Sequence, residues 1–278
     1  VIFATYQSLE LVMQAQHNVK VVIDLGIFDE AHKCAGNKDR LFSLGLDAEK
    51  LFIKKRLFVT ATPRIYKTNT HNKEFEESIV SVGMDDESVF GKQFYVLSFQ
   101  QAIEKGLLSD YKVLIVGVDQ EAVDTVAKNR VIQNQTGELF DSQVVASQIA
   151  MLKAIKKHKL SKIISFHSTI KGAKKFSDTL AYIQQETQDY LELKSYISAT
   201  YISGSMSIKN RYVQLEALQQ ANNNNVKIIS NARCLSEGVN VPALDAIAFM
   251  DSKNSEIDIV QAVGRVMRKH ADKQDGVI

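Results

Sequence analysis

Cysteine and proline are both scarce in this 278-residue sequence, which holds two of each. Cys34 and Cys234 are too few to build a metal cluster alone. So small a number fits a reducing, cytoplasmic setting in which neither thiol is reactive. The two prolines, Pro63 and Pro242, each close a motif taken up below. No apolar run approaches the roughly 18 residues of a membrane span, and no signal peptide is visible. Charge of one sign is not in excess either, since 34 Lys and Arg against 32 Asp and Glu give a net +2. That balance neither demands nor excludes nucleic acid, because a groove can be basic on a nearly neutral molecule. The basic clusters Lys54-Lys55-Arg56, Lys153 with Lys156-Lys157-His158-Lys159, and Lys171 with Lys174-Lys175 read as solvated faces or strand ends.

What remains is an ordinary globular composition, 45% hydrophobic and 24% charged, long enough for two domains. Apolar stretches alternate with amphipathic ones, which points to parallel sheet covered by helices. In the first third, strands are expected at Val1–Ala4, Leu25–Phe28 and Leu57–Thr60, with helices at Leu9–Ala15 and near Leu41–Phe52. A short helix is expected at Ser98–Lys105, stopped by Gly106. The pattern restarts at Lys112. Val113–Val118, Lys162–Phe166, Thr200–Ser203, Val226–Ser230 and Ala246–Met250 read as strands. Ser142–His158, Gly172–Gln184, Arg211–Gln220 and Ile257–Arg268 read as helices. Strand followed by helix from Lys162 to Met250 is the signature of a doubly wound sheet. The domain boundary is placed near Asp110.

Four stretches carry chemistry. Asp29-Glu30-Ala31-His32 follows the apolar run of Leu25, Ile27 and Phe28, so its carboxylates sit where a strand emerges. Adjacent carboxylates there suit Mg²⁺, which takes one or two of them and keeps its waters. The alternative is a solvated acidic helix start. Thr60-Ala61-Thr62-Pro63 ends the next strand, with two hydroxyls able to reach a neighbouring loop, His32 being the nearest candidate; the alternative is a proline-closed turn. Gln261, Arg265 and Arg268 share one face at helical spacing, and two arginines there suit phosphate oxygens. Val260, Val263 and Met267 would form the core side of the same helix. Asn231–Pro242 follows a strand and carries Gly238 among polar residues, as a phosphate-contacting loop does.

Taken in order, these segments resemble the motor of superfamily-2 DEAD/DEAH-type helicases and DNA translocases. Asp29-Glu30-Ala31-His32 matches the second motif, Thr60-Ala61-Thr62 the third, Ser236–Pro242 the fifth and Gln261–Arg268 the sixth. Ser203–Arg211 matches a segment between the fourth and fifth, and Phe166-His167-Ser168 the fourth. Thr5-Tyr6-Gln7-Ser8 resembles the DNA-contacting segment before the acidic motif. Met84–Lys112 and Ser230–Pro242 are similar to bacterial restriction-type translocases (type I, type III and ISP-like). The sixth motif opens Gln261-Ala262, where RNA helicases usually have His-Arg or Gln-Arg, which favours DNA over RNA.

The resemblance implies an α/β fold of two RecA-like, doubly wound parallel-sheet domains. Residues 1–110 would be the C-terminal part of an incomplete first domain, and residues 111–278 the second. It implies ATP and Mg²⁺ as cofactors, with Asp29 on the metal and Glu30 on the attacking water. Arg265 and Arg268 would be arginine fingers, with His32, Gln261, Thr60 and Thr62 coupling the domains. Gly238, Asn240 and Gly264 would contact nucleotide, Asn240 standing where Asp is common. Thr5, Ser8, Ser168, Lys171 and Ser203 would contact nucleic acid, mostly phosphates, so binding should be independent of sequence and weaken with salt. The phosphate loop Gly-x-x-x-x-Gly-Lys-Ser/Thr is missing, and only 28 residues precede Asp29. With Val1 rather than Met at its start, the chain reads as an internal piece of a larger multidomain motor, inactive or weak alone. The alternatives are a catalytically silent binding or interaction module with a helicase fold, or an RNA helicase.

Overall fold

The computed structural model describes residues 1–37, 41–66, 81–124, 126, 142–232, 244–252, 255–269 and 275–278. It divides into two compact units, Val1–Val96 and Leu97–Ile278. The sequence places that division near Asp110. It falls earlier because Phe99, Ile103 and Leu108 pack against the core of the second unit. Among the described residues no helix is long and apolar enough to cross a membrane.

The first unit contains, in order, α1 (Leu9–Val19), β1 (Ile23–Phe28), β2 (Gly36–Asn37), β3 (Ile53–Phe58), β4 (Ser81–Val82) and α2 (Glu87–Phe90). β1 and β3 are parallel, in register from Ile23 opposite Ile53 to Phe28 opposite Phe58. β2 and β4 form a short antiparallel pair. Gln16, buried on α1, donates to the Phe52 carbonyl at 2.8 Å and accepts from its N–H at 3.1 Å, which ties the helix to the entry of β3. Leu9, Phe28, Ala31 and Leu51 form the core. Val1–Ala4 is not a strand: it has no ladder partner among the described residues, and Val1, Ile2 and Phe3 are exposed. The helix expected near Leu41–Phe52 is a 3₁₀ segment over Leu41–Leu46 followed by a loop.

The second unit runs α3 (Phe99–Glu104), β5 (Asp110–Lys112), α4 (Ser142–His158), β6 (Lys162–Phe166), α5 (Ile170–Glu186), α6 (Gln188–Leu191), β7 (Tyr196–Ile202), α7 (Ile208–Gln219), β8 (Asn225–Asn231), β9 (Ala246–Phe249), α8 (Glu256–Val266) and β10 (Asp275–Val277). Its strands form one parallel sheet in the order β5-β10-β9-β6-β8-β7. Alternation along the central strands sets the two layers. Ile163 and Ile228 face one core with Val145 and Ile149 of α4 and Phe176 and Leu180 of α5. Ile164 and Ile229 face the other with Leu215 and Leu218 of α7 and Val263 and Val266 of α8. Helices on both faces of a parallel sheet are the doubly wound arrangement the sequence pattern implies. Residues 113–118, where a strand is expected, carry none; the strand there is β5, ending at Lys112. Its neighbour β10 allows only glycine at position 276, where a Cβ would come within 2.7 Å of the Val266 carbonyl oxygen.

Candidate nucleotide and nucleic-acid site

The β1–β3 register determines what stands beside what. Pairing continues past both strands, with Val59 N–H donating to the Phe28 carbonyl at 2.9 Å and Ala31 N–H to the Val59 carbonyl at 3.0 Å. Asp29-Glu30 and Thr60–Thr62 therefore leave the sheet side by side. One imidazole nitrogen joins them: His32 Nδ1 lies 3.0 Å from Thr60 Oγ1, 3.4 Å from Thr62 Oγ1 and 3.4 Å from Glu30 Oε2. His32 and Thr62 are buried, while Glu30 is half-buried and Asp29 exposed. Thr62 N–H also donates to Thr60 Oγ1 at 3.1 Å, closing the turn before Pro63.

Glu30 adopts φ 52°, ψ 43°, a left-handed conformation that costs a residue with a Cβ about 1–2 kcal/mol. Its N–H donates to Asp29 Oδ1 at 2.9 Å. The Asp29 carbonyl in turn accepts from the Tyr6 hydroxyl at 2.6 Å. Both ends of the peptide joining the two acidic residues are thus held.

Among the described residues no group of three or more His, Cys, Asp or Glu is arranged to hold a metal ion. The adjacent pair of Asp29 and Glu30 instead fits Mg²⁺, which needs one or two carboxylates when waters and phosphates complete its shell.

In the second unit α8 is capped by Ser255, whose side chain accepts from Asp258 N–H. Ala262, Val263 and Val266 are buried against the sheet. Gln261 and Arg265 lie one turn apart on the helix, Arg265 buried and Gln261 half-buried, with Gly264 between them. Arg268 does not share that helical face, because α8 ends at Val266. The Met267 carbonyl accepts from Ser109 N–H at 2.8 Å and Ser109 Oγ at 2.9 Å, and Arg268, exposed, bridges to Leu108. The chain is drawn off the helix axis at that point. Gly238 and Asn240 lie outside the described residues.

The nucleic-acid candidates divide between the units. Thr5 Oγ1 and Ser8 Oγ are 3.0 Å apart across a single 3₁₀ turn. Ser168 and Lys171 are exposed at the start of α5, which Thr169 caps by accepting from Gly172 N–H. Ser168 N–H donates to Asp251 Oδ2 at 2.6 Å, joining the ends of β6 and β9. Ser203 is buried, its hydroxyl 2.9 Å from that of the exposed Ser205. Behind these residues, Ser165 Oγ donates to Ser230 Oγ at 3.0 Å and accepts from His167 Nε2 at 3.1 Å. Tyr6 and Asp251 are absent from the sequence-derived set. Both act on backbone atoms, and the only signal was Tyr6 lying inside the Thr5–Ser8 segment.

Residues 146–270 match the family described as helicase conserved C-terminal domain. The whole chain is 28% identical to the probable helicase A859L of African swine fever virus (isolate Tick/South Africa/Pretoriuskop Pr4/1996) and spans 27% of that relative's length. Among solved structures, the ATP-dependent type ISP restriction–modification enzyme LlaBIII bound to DNA matches the whole chain at 30% identity and TM-score 0.81, the chain covering 19% of that enzyme. A nuclease-deletion mutant of the type ISP enzyme LlaGI, in complex with a DNA substrate mimic, matches the whole chain at 27% identity and TM-score 0.58, the chain covering 17% of it. The parallel-sheet α/β fold is shared over the whole chain with LlaBIII.

Proposed function

We propose that this chain belongs to a superfamily-2 helicase and is the motor segment of an ATP-driven DNA translocase or helicase of the restriction–modification type. The observation that carries this reading is the cluster in which Glu30, Thr60 and Thr62 surround His32 Nδ1 at the ends of two parallel strands. Such a carboxylate can activate water while its state is felt through a buried histidine by the hydroxyls of the next strand. The whole-length likeness to DNA-bound restriction–modification enzymes supports DNA as the track.

Glu30 orients the attacking water and takes its proton. Asp29 would hold Mg²⁺ through water, and the bound ion would neutralise charge on the phosphate oxygens. Arg265 and Arg268 would be arginine fingers on a γ-phosphate, a contribution of about 10³–10⁵ in rate. Gly238, Asn240 and Gly264 contact the nucleotide. Gln261 and His32 sense its state, and Thr60 and Thr62 relay it. Thr5, Ser8, Ser168 and Lys171 hold the DNA backbone, and Ser203 acts by orienting Ser205.

Glu30→Gln in the full-length protein tests the assignment. Glutamine keeps the size of the side chain and its reach to His32 but cannot take a proton. DNA-stimulated ATP hydrolysis is expected to fall by about 10²-fold or more, with DNA binding retained. Hydrolysis at the wild-type rate would remove Glu30 from the reaction.

A further inference from the structure

Tyr6 stands inside the segment offered to nucleic acid and reaches the acidic pair directly. It belongs to the 3₁₀ turn Tyr6–Ser8, which Ser8 N–H closes by donating to the Thr5 carbonyl at 2.9 Å. Its ring meets Phe42 edge-on at 5.8 Å and leans on Phe28, the last residue of β1, at 6.5 Å. Beside the Cys34 thiol, the hydroxyl donates to the Asp29 carbonyl at 2.6 Å. The peptide it grips is the one whose orientation sets the left-handed conformation of Glu30. Rotating that peptide would carry the Glu30 carboxylate away from His32 Nδ1, now 3.4 Å from it.

We infer that Tyr6 is a positioning residue that links nucleic-acid contact at Thr5 and Ser8 to the Asp29–Glu30 peptide. The inference rests on the proposed motor function and adds to it the route by which occupancy of the nucleic-acid segment reaches the water-activating carboxylate. Binding a phosphate at Thr5 and Ser8 must redirect hydroxyls that now face each other at 3.0 Å. A shift of that turn moves the adjacent Tyr6 ring, and the ring's hydroxyl moves the peptide.

The test is Tyr6→Phe in the full-length protein, since phenylalanine keeps the ring packing and removes only the hydroxyl. The ratio of DNA-stimulated to DNA-free ATP hydrolysis is expected to drop about tenfold, the scale of one lost hydrogen bond in free energy. KM for ATP and Kd for DNA are expected to move by less than about threefold, which separates lost coupling from lost binding. An unchanged ratio overturns the inference, and so does a loss of DNA affinity that accounts for the whole effect, because Tyr6 would then be a contact residue. Amide hydrogen exchange provides a readout that needs no hydrolysis. DNA addition should alter exchange across Ala31–Lys33 in the wild type and not in Tyr6→Phe, and equal responses overturn the link. Glu30→Gln run alongside separates the two ideas: wild-type hydrolysis by that variant removes the motor assignment, while the exchange comparison still decides whether Tyr6 joins the two segments.

Discussion

Cys34 shows how far the surroundings of the acidic turn reach. It is buried at 2% exposure, and burial pushes its thiol from the model-compound value of 9.0 up to about 11. The unfolded chain therefore ionises this thiol first as pH rises. The stabilisation is complete below the unfolded value and is lost as pH climbs through the folded one. A shift of that size corresponds to roughly 3 kcal/mol. Tyr6, also raised, acts in the same direction at higher pH. Urea unfolding midpoints should fall steeply between pH 9 and 11, and Cys34→Ala should make that fall shallower without abolishing it. Identical slopes for the two proteins would remove Cys34 from the alkaline transition. At this scale the meeting of His32 with the Thr60 and Thr62 hydroxyls was legible in the sequence, because side-chain chemistry at strand ends leaves a pattern of residue types. Tyr6 and Asp251 stayed hidden because their acceptor and donor are backbone atoms, which any residue supplies. Ser203, a contact candidate by motif, is turned inward onto Ser205.

Among elements, β3 is held by a residue that composition would assign to solvent. Arg56 closes the basic cluster Lys54-Lys55-Arg56, yet its guanidinium is bent into the loop preceding its own strand. Nε donates to the Gly45 carbonyl at 3.0 Å and Nη1 to Ile53 at 3.0 Å, while Nη2 reaches Asp47 at 3.3 Å and Leu51 at 2.7 Å. Four carbonyls, those of Gly45, Asp47, Leu51 and Ile53, converge on this one planar fork and tie the segment that replaces the expected helix to β3. Lysine keeps the charge but cannot span four acceptors. Arg56→Lys should therefore destabilise the first unit by about 2–3 kcal/mol, read as a lower urea midpoint with an unchanged slope. A midpoint equal to wild type would mean that the loop holds itself. Periodicity did locate the elements that bury one stripe on a wide sheet, such as α4 and β6, because burial there imposes the pattern. It failed at Val1–Ala4 and Val113–Val118, where apolar residues are exposed among the described residues. It also overran α8, whose end is set by Ser109, distant in sequence and invisible to any local rule.

At the scale of the whole molecule, the chemistry assigned here is distributed. Asp29 and Glu30 belong to the first unit, Gln261 and Arg265 to the second. The phosphate loop Gly-x-x-x-x-Gly-Lys-Ser/Thr is missing from the sequence. The acidic pair is held by Tyr6, His32 and the β1–β3 register, so on the proposed reading it would activate water without retaining the β- and γ-phosphates. Orientation without retention gives little rate, because an oriented carboxylate accelerates nothing that does not stay bound beside it. The 278-residue chain alone should therefore turn over ATP at least about 10³-fold more slowly than the full-length protein, with or without DNA. It should still bind DNA, without sequence preference and more weakly as salt rises, because the hydroxyls and lysine offered to phosphates lie within it. Parallel ATPase and salt-titrated binding measurements on the same preparation check both halves. Vigorous turnover by the isolated chain would mean that the phosphates are gripped by residues already present, and the division of labour argued here would have to be abandoned.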